Sequence, residues 1–321
     1  MSWFLSFLVV FIENPSTPPV VIAHRGASGY AVEHTEAAKA MAHAQGADFL
    51  EQDVVLSKDG IFVVSHDITM EETTDVESVF PKRARSDGKY YFADFEWSEI
   101  QRLQMHDRTR RKSEAITSSS ETARLAGQRV VSLADESKLI SGWNEKTGRS
   151  AGLYIELKSP SFHKREFGYA MGEALLKLLE TNRISSVSDK CFIQCFEPEE
   201  LVDLHDRLHC KIPLIQLLGK RPSDQELAEM ARYAKGIGPS LELLAVRDSS
   251  DKIVSTGIVE SAKRLGMLVH PYTVRKNQQP KWSNSLGETH QTLIQLLKVD
   301  GFFSDYPDLS RAAAWQDNRS N

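Results

Sequence analysis

Eight short apolar runs alternate with longer amphipathic stretches, and this alternation restricts the fold of the chain more than any other feature. The runs are VVIAH (20–24), DFLEQD (48–53), GLYIELK (152–158), CFIQCF (191–196), IPLIQLL (212–218), GIGPS (236–240), MLVHPYTV (267–274) and DGFFSD (300–305). Amphipathic segments such as 34–45, 166–180 and 224–234 lie between them. Because strands that alternate with helices form parallel sheets, eight of them in a chain of about 300 residues predict an α/β fold, a (β/α)8 TIM barrel.

One interval is too long for a single strand–helix unit. About 100 residues separate DFLEQD from GLYIELK, so we interpret roughly 68–125 as a long insertion after the second strand and its hairpin, a lid or small subdomain over the barrel mouth. The barrel domain is then expected to span 20–315, and 316–321 to be a flexible tail. The basic stretch RTRRK (108–112) precedes a Ser/Thr-rich segment and is predicted to be a solvated loop.

The N-terminal segment 1–14 is apolar and begins MSWFLSFLVVFI. Its apolar run has the length of a signal-peptide core, but it lacks a basic n-region and an A-x-A cleavage site. Two interpretations stay open, a remnant of an export signal and an apolar helix that caps the domain.

Charge and hydropathy exclude two classes of partner. The net charge of -5 and the isoelectric point near 6.1 provide no electrostatic basis for binding nucleic acid. No stretch reaches the roughly 20 apolar residues that cross a bilayer, so no transmembrane span is expected.

Ionisable side chains stand at the ends of three predicted strands: His24 and Arg25, Glu51 and Asp53, and Glu156 and Lys158. A lone charged residue at a strand end usually marks only the exit of the chain from the core. Three such strands in one barrel predict a site, because the carboxyl ends of barrel strands meet at one face. The i, i+2 spacing also turns each pair of side chains to the same side of its strand.

A turn signal brings a second histidine to the same place. SKDG (57–60) separates the apolar runs VVL and IFVV, which is typical of a β-hairpin. A hairpin centred there returns the chain so that His66 lies level with Glu51 and Asp53.

The residue types in this predicted cluster suit one chemistry. Three carboxylates around one point repel each other unless a cation lies between them, and Ca²⁺ or Mg²⁺ is the usual oxygen-bound ion. Arg25 and Lys158 carry donors that suit phosphate oxygens. Two histidines can act as base and acid near neutral pH. A metal site, an anion clamp and an acid–base pair together favour cleavage of a phosphodiester.

With these residues in place, the sequence resembles the glycerophosphodiester phosphodiesterase family over nearly its whole length. The family's motifs occur in order as HRG (24–26), EQD (51–53), KDG (58–60), HD (66–67) and ELK (156–158). HPYTVR (270–275) and DGFFSDYP (300–307) complete the resemblance. HRG alone is a weak signal, whereas five spaced motifs in one order are a strong one.

The resemblance implies a TIM barrel, a divalent metal, and hydrolysis of small glycerophosphodiesters to glycerol 3-phosphate and an alcohol. By position, the metal ligands implied are Glu51, Asp53 and Glu156, and the acid–base pair is His24 and His66. Arg25 and Lys158 are implied to bind phosphate. Phe196 and Tyr272 are expected to wall the glycerol and leaving-group side, with core packing as the alternative interpretation.

One departure points to a subgroup of the family. Where many members have Pro-Glu-Asn-Thr, this chain has VEHT (32–35), with GASGY before it and the long insertion after HD. These features resemble the exported, calcium-dependent bacterial subgroup, which implies Ca²⁺ as the ion and an extracytoplasmic location. Glu33 is expected to support the metal or a histidine, or to serve only at the start of a helix.

Two other functions remain open at this stage. Related barrels with the same His/Glu/Asp layout are phospholipases that cyclise a lysolipid or sphingolipid head group. A surface protein that uses the barrel only for binding is the other alternative, which the complete set of motif residues disfavours.

Overall fold

The computed structural model describes residues 18–108, 127–168, 170–182 and 190–320. Its strands are β1 (Val20–Ala23), β2 (Phe49–Leu56), β3 (Phe62–Val64), β4 (Gly152–Leu157), β5 (Cys191–Cys195), β6 (Leu214–Leu218), β7 (Gly236–Pro239), β8 (Ala245–Arg247), β9 (Ile253–Ser255), β10 (Leu268–Val269) and β11 (Gly301–Ser304). Its helices are α1 (Glu36–Ala44), α2 (Val76–Val79), α3 (Trp97–Ile100), α4 (Leu133–Thr147), α5 (Pro160–Phe167), α6 (Met171–Thr181), α7 (Pro198–Val202), α8 (Asp224–Met230), α9 (Ile258–Arg264), α10 (Leu286–Gln291) and α11 (Pro307–Ser320). Short 3-10 turns lie at Phe92–Asp94 and Leu241–Leu243, and π-helical segments at Asp203–Arg207 and Thr292–Leu296.

Within the described residues, eight strands pair in parallel in the order β10-β7-β6-β5-β4-β2-β1-β11. The two ends of this order meet just beyond β10, where Val274 forms a parallel bridge with Ser304. Five strands contribute to one apolar cluster, formed by Ile22, Phe49, Tyr154, Ile215 and Phe303. Because side chains of five different strands meet there, the cluster lies in the interior of a nearly closed barrel. The predicted (β/α)8 TIM barrel is confirmed.

Some elements differ from the sequence expectation. The helix predicted over 166–180 is two helices, α5 and α6, because α5 ends at Gly168 in the left-handed region with φ of 78°. The strand predicted over 267–274 is regular only in β10, since Pro271 has no N–H for the ladder. The last helix includes 316–320, where composition favours a tail, because the alanines at 312–314 continue the helix.

The described part of the insertion, 68–108, packs together with the following segment 127–130 on the outer face of the β2–β3 hairpin. Its apolar cluster comprises Val32, Val55, Val63, Met70, Val76, Tyr90, Phe92, Phe95, Ile100, Leu103, Met105 and Val130. The alternate hairpin residues Val54 and Val64 belong to the barrel's own core. The hairpin therefore has an apolar cluster against each of its faces. Residues 109–125 of the predicted insertion, residue 126 and the N-terminal segment 1–14 lie outside the described residues.

A cation–aromatic contact fastens the insertion to the barrel. Tyr91 stacks on Phe162 of α5 with ring centroids 5.5 Å apart, and the Arg85 guanidinium lies 4.3 Å from the Tyr91 ring. Arg85 also pairs with Asp94 at 2.7 Å and with Glu166 at 2.9 Å. Among the described helices, none has the length and apolar character to cross a membrane.

Candidate active site

The carboxyl ends of the barrel strands surround one cavity of about 210 Å³. The residues that the sequence singled out and that line this cavity are His24, Arg25, Glu51, Asp53, His66, Glu156, Lys158, Phe196 and Tyr272. The remaining one, Glu33, lies beside it and accepts two hydrogen bonds from Arg25 at 3.1 Å. The structure therefore brings all the predicted site residues together.

Three buried carboxylates form one side of the cavity. Glu51 and Asp53 project from one face of β2, and the parallel register of β2 with β4 sets Glu156 beside Asp53. Oxygens of the three groups lie within 4.8 Å of one another. Burial, with the neighbouring carboxylates, raises the pKa of Glu51, and burial raises that of Glu156 to about 8 despite the nearby Lys158. The three carboxyl groups therefore cannot all be ionised at low cost unless a positive charge lies between them.

This set of donors fits a divalent cation. Oδ1 of Asp53 is buried and has no hydrogen-bond partner among the described residues. Burial works against the charge of Asp53, but Lys158 and His34 hold its pKa well below the usual range, so one ligand is already ionised. Carboxylate oxygens are the ligands that hard cations such as Ca²⁺ and Mg²⁺ prefer.

Two cationic side chains lie against the carboxylates. Lys158 Nζ donates to Glu156 at 2.5 Å and lies 3.9 Å from Asp53 Oδ1. Arg25 Nε lies 3.4 Å from Asp53 Oδ2, and the Arg25 backbone N–H donates to Glu51 at 2.8 Å. Burial disfavours both charges, but the surrounding carboxylates raise the pKa of both side chains. Both groups therefore stay protonated and suit an anionic ligand.

His24 is oriented by an aspartate at the end of the last barrel strand. Its Nδ1 lies 2.6 Å from Asp305 Oδ1, while Arg275 Nε donates to Asp305 Oδ2 at 3.1 Å. Burial lowers the pKa of His24 to about 4, although Asp305 acts in the opposite direction. The imidazole is therefore neutral near pH 7, and with Nδ1–H on Asp305 it presents Nε2 as a proton acceptor.

His66 has the same arrangement at the end of the hairpin. Its Nδ1 lies 2.7 Å from Asp67 Oδ1, and Arg108 Nη1 donates to Asp67 Oδ2 at 2.5 Å. The prediction of a solvated loop at 108–112 is therefore wrong for Arg108, whereas 109–112 lie outside the described residues. The reason is that the charged run shows only its own polarity, and its carboxylate partners are distant in sequence.

His34 is a buried partner of the metal-ligand candidate Asp53. Its Nε2 lies 2.8 Å from Asp53 Oδ2, and its own backbone N–H donates to the Arg25 carbonyl at 2.9 Å. Arg25 and His34 both have left-handed backbones, with φ of 55° and 58°. Non-glycine residues seldom adopt this conformation, and here it directs both side chains to the site.

Two aromatic rings, Phe196 and Tyr272, form an apolar wall of the cavity. Phe196 is 44% exposed, which excludes the alternative that it is a core aromatic. It meets Tyr272 edge to face with centroids 5.9 Å apart, and Lys158 Nζ lies 6.0 Å from its ring centroid. The cavity therefore joins a strongly charged side to a partly apolar one.

Sequence reasoning missed six participants: His34, Asp67, Arg108, Gln194, Arg275 and Asp305. Gln194 donates to Glu51 at 3.1 Å from the neighbouring strand. Asp305 carried a usable signal, because it ends the eighth strand, which a closed barrel places next to the first. Arg108 carried none, since its partners Glu33 and Asp67 are 75 and 41 residues away.

Comparison with known proteins agrees with this geometry. The sequence model of the glycerophosphoryl diester phosphodiesterase family matches residues 24–309. A glycerophosphodiester phosphodiesterase of Haemophilus influenzae is 33% identical over 90% of this chain and 88% of its own. One of Treponema pallidum is 29% identical over 90% of each chain.

Solved structures share the fold. An Oleispira antarctica phosphodiesterase in complex with the product sn-glycerol-3-phosphate has a TM-score of 0.65 at 22% identity, covering 92% of this chain and 96% of its own. A glycerophosphodiester phosphodiesterase from Agrobacterium tumefaciens has a TM-score of 0.61 at 22% identity, covering 92% and 99%. From the family match and the relative in Haemophilus influenzae, the chain belongs to the glycerophosphoryl diester phosphodiesterase family of enzymes.

Proposed function

We propose that the protein hydrolyses small glycerophosphodiesters, such as glycerophosphocholine or glycerophosphoethanolamine, to sn-glycerol 3-phosphate and an alcohol. The observation that carries this proposal is the single cavity in which a carboxylate triad, two cations and two histidine–aspartate pairs converge. The shared name of the relatives supports the activity. The product held by the Oleispira antarctica protein supports the same chemical class of ligand.

The ion proposed for the triad is Ca²⁺, with Mg²⁺ as the alternative, held by Glu51, Asp53 and Glu156. Bound there, a divalent cation would supply Lewis-acid polarisation of a phosphoryl oxygen and would offset charge that develops on it. His34 keeps Asp53 oriented through the 2.8 Å contact to its Oδ2.

The chain's own residues account for phosphate binding and proton transfer. Arg25 and Lys158 bind phosphate oxygens and keep the diester oriented. One of His24 and His66 removes the proton of the attacking hydroxyl as its oxygen bonds to phosphorus. The other donates a proton to the leaving oxygen as its bond to phosphorus breaks. The attacking group is water, or the neighbouring glycerol hydroxyl, which gives a cyclic phosphate first.

Phe196 and Tyr272 are proposed to contact the uncharged part of the substrate. Their edge-to-face pair presents carbon surface beside the charged half of the cavity. The glycerol or the departing alcohol fits this side better than a second phosphate does.

The decisive experiment measures release of glycerol 3-phosphate from glycerophosphocholine, with EGTA and after Ca²⁺ or Mg²⁺ is restored. We expect turnover that EGTA abolishes and that Ca²⁺ restores better than Mg²⁺. Turnover that survives EGTA and EDTA would reject the metal, and no turnover with any glycerophosphodiester would reject the activity. ³¹P NMR of the products distinguishes the linear phosphate from the cyclic product of a lipid-cleaving lyase.

An extracytoplasmic location is proposed on the apolar character of residues 1–12 and on the resemblance to exported members. The test is fractionation of cells that express the full chain and a variant lacking residues 1–12. Equal cytoplasmic retention of both forms would contradict the proposal.

A further inference from the structure

One guanidinium from the insertion binds two carboxylates of the site at once. Arg108 Nε and Nη2 donate to the two oxygens of Glu33 at 2.8 and 2.7 Å, and Nη1 donates to Asp67 at 2.5 Å. All three nitrogens of the guanidinium are therefore engaged. A planar fork of this kind fixes the direction of a carboxylate more firmly than a single charge does.

Each of these carboxylates contacts a residue that lines the cavity, His66 or Arg25. Asp67 Oδ1 lies 2.7 Å from His66 Nδ1, and Glu33 accepts Arg25 Nη1 with both oxygens at 3.1 Å. Arg108 thus links His66 to Arg25 through two carboxylates, although it does not line the cavity itself.

The His66 ring depends on this chain of contacts. Its side chain is 33% exposed, and within the described ranges Asp67 is its sole hydrogen-bond partner. His24 has the same construction, with Arg275 on the second oxygen of Asp305, but its side chain is only 10% exposed. Packing therefore fixes the orientation of the His24 ring in addition to its aspartate. The orientation of the more exposed His66 ring depends mainly on Asp67, which in turn is held by Arg108.

We propose that Arg108 is a positioning residue that fixes Asp67, and through it the orientation and tautomer of His66, and that the insertion thereby completes the site. The inference rests on the proposed function, because it assigns His66 a proton-transfer role. An aspartate that holds the ring Nδ1–H leaves Nε2 directed at the reacting group, and a freely rotating aspartate does not.

The test is a double-mutant cycle with steady-state kinetics on glycerophosphocholine at saturating cation. Arg108→Ala is expected to lower kcat about 10- to 100-fold, the loss commonly seen when a hydrogen-bond partner behind a metal-bound histidine is removed. Asp67→Asn is expected to lower it at least as much. The combined loss in the double variant should then be smaller than the product of the two single losses, because both changes break the contact between Arg108 and Asp67. Any further loss below Asp67→Asn reports the release of Glu33, which Arg108 also holds.

Matched controls separate positioning from folding. Arg83→Ala removes another insertion arginine, paired with Glu99 at 2.7 Å, and should leave kcat unchanged. Asp206→Asn breaks a surface pair with His205 that has the same 2.7 Å separation, and should also leave kcat unchanged. Arg108→Lys should recover part of the loss, since one ammonium restores the charge but cannot reach three carboxylate oxygens.

A spectroscopic readout makes the result independent of turnover. In ¹⁵N-histidine NMR, the Nδ1–H signal of His66 should shift or broaden in Arg108→Ala and not in Arg83→Ala. An unchanged signal, kcat within about twofold of wild type in Arg108→Ala, or losses that multiply in the double variant would each overturn the proposal. If the wild-type protein hydrolyses no glycerophosphodiester, the proposed function fails, and the NMR comparison still decides whether Arg108 positions His66.

Discussion

His24 and His66 each have one ring nitrogen on an aspartate, which leaves the other nitrogen for the substrate. We expect His24→Ala and His66→Ala each to lower kcat by roughly 10² to 10⁴, the usual contribution of a positioned acid or base. The measurement is glycerol 3-phosphate release, with near-UV circular dichroism to verify the fold. His205→Ala is the matched control, because its ring faces Asp206 at 2.7 Å on the surface. More than about a tenth of wild-type turnover in either variant would contradict the assignment.

Replacing one carboxylate of the triad should separate metal binding from stability. In metal-free buffer, Glu51→Gln is expected to raise Tm or leave it unchanged, because burial and the other carboxylates already raise the pKa of Glu51. With Ca²⁺ added, wild type should gain stability by mass action, about 2.7 kcal/mol at 100 times Kd, and the variant should gain far less. Thermal unfolding with and without Ca²⁺ measures both effects. An equal Ca²⁺-dependent rise in Tm for both proteins would exclude Glu51 as a ligand.

At this scale the sequence predicts the residues that strand ends and motifs mark, and misses those that loops bring in. Glu51, Asp53 and Glu156 follow from the i, i+2 alternation and from strand adjacency, which are local rules. Arg108 reaches Glu33 and Asp67 only through the path of the insertion. The backbone conformation of His34, with φ of 58°, is uncommon for a non-glycine residue and depends on contacts that the motif VEHT does not show.

Three secondary-structure elements are joined behind the triad by one buried lysine. Lys39 of α1 is fully buried, and its Nζ donates to the Glu51 carbonyl of β2 and to Glu136 of α4, both at 2.5 Å. Lys39→Met should destabilise the protein by about 3–5 kcal/mol, because Glu136 is left buried without its partner. Urea unfolding measures the loss, with Lys138→Met as control, because the Lys138 side chain on α4 is 71% exposed.

A second change distinguishes a lost pair from a lost side chain. Lys39→Met combined with Glu136→Leu should recover most of the stability, since two apolar groups replace a buried ion pair at little net cost. A double variant as unstable as Lys39→Met would show that the contact to the Glu51 carbonyl matters more than the charge of Glu136.

At the scale of the elements, periodicity predicts the identity of the strands and helices more accurately than it predicts their ends. The eight strands are identified in the correct order because an apolar run buried on both faces is a strong signal. The end of β10 depends on a backbone N–H that Pro271 lacks, and the break between α5 and α6 depends on the backbone of Gly168. The β8–β9 hairpin was not predicted, because its strands have only three residues each.

For the whole molecule, buried neutral histidines predict sensitivity to acid. Burial lowers the pKa of His163, His270 and His290 from 6.5 to about 4 each. The unfolded chain takes up these protons below pH 6.5 and the folded protein does not until about pH 4. The free energy of unfolding should therefore be unaffected by them above pH 6.5 and fall as pH drops from 6.5 to 4, by up to about 1.4 kcal/mol per pH unit for each histidine.

The measurement is urea unfolding at several pH values between 7 and 4. His290→Gln should show a shallower fall than wild type over this interval, because one of the protonation steps is removed. The surface variant His205→Ala should retain the wild-type slope. Identical slopes for all three proteins would mean that His290 is not a source of the acid sensitivity.

The hairpin with an apolar cluster on each face has a consequence for how the protein loses activity on heating. Val55 and Val63 of the hairpin belong to the apolar cluster of the insertion, so part of the insertion's hydrophobic core consists of barrel residues. A local opening that separates the two exposes these valines and frees Arg108 and the His66 loop in one step. We expect such an opening to require less free energy than unfolding of the barrel and to leave the barrel strands paired. We therefore expect this partial opening to govern thermal inactivation, so that activity is lost at a lower temperature than barrel structure.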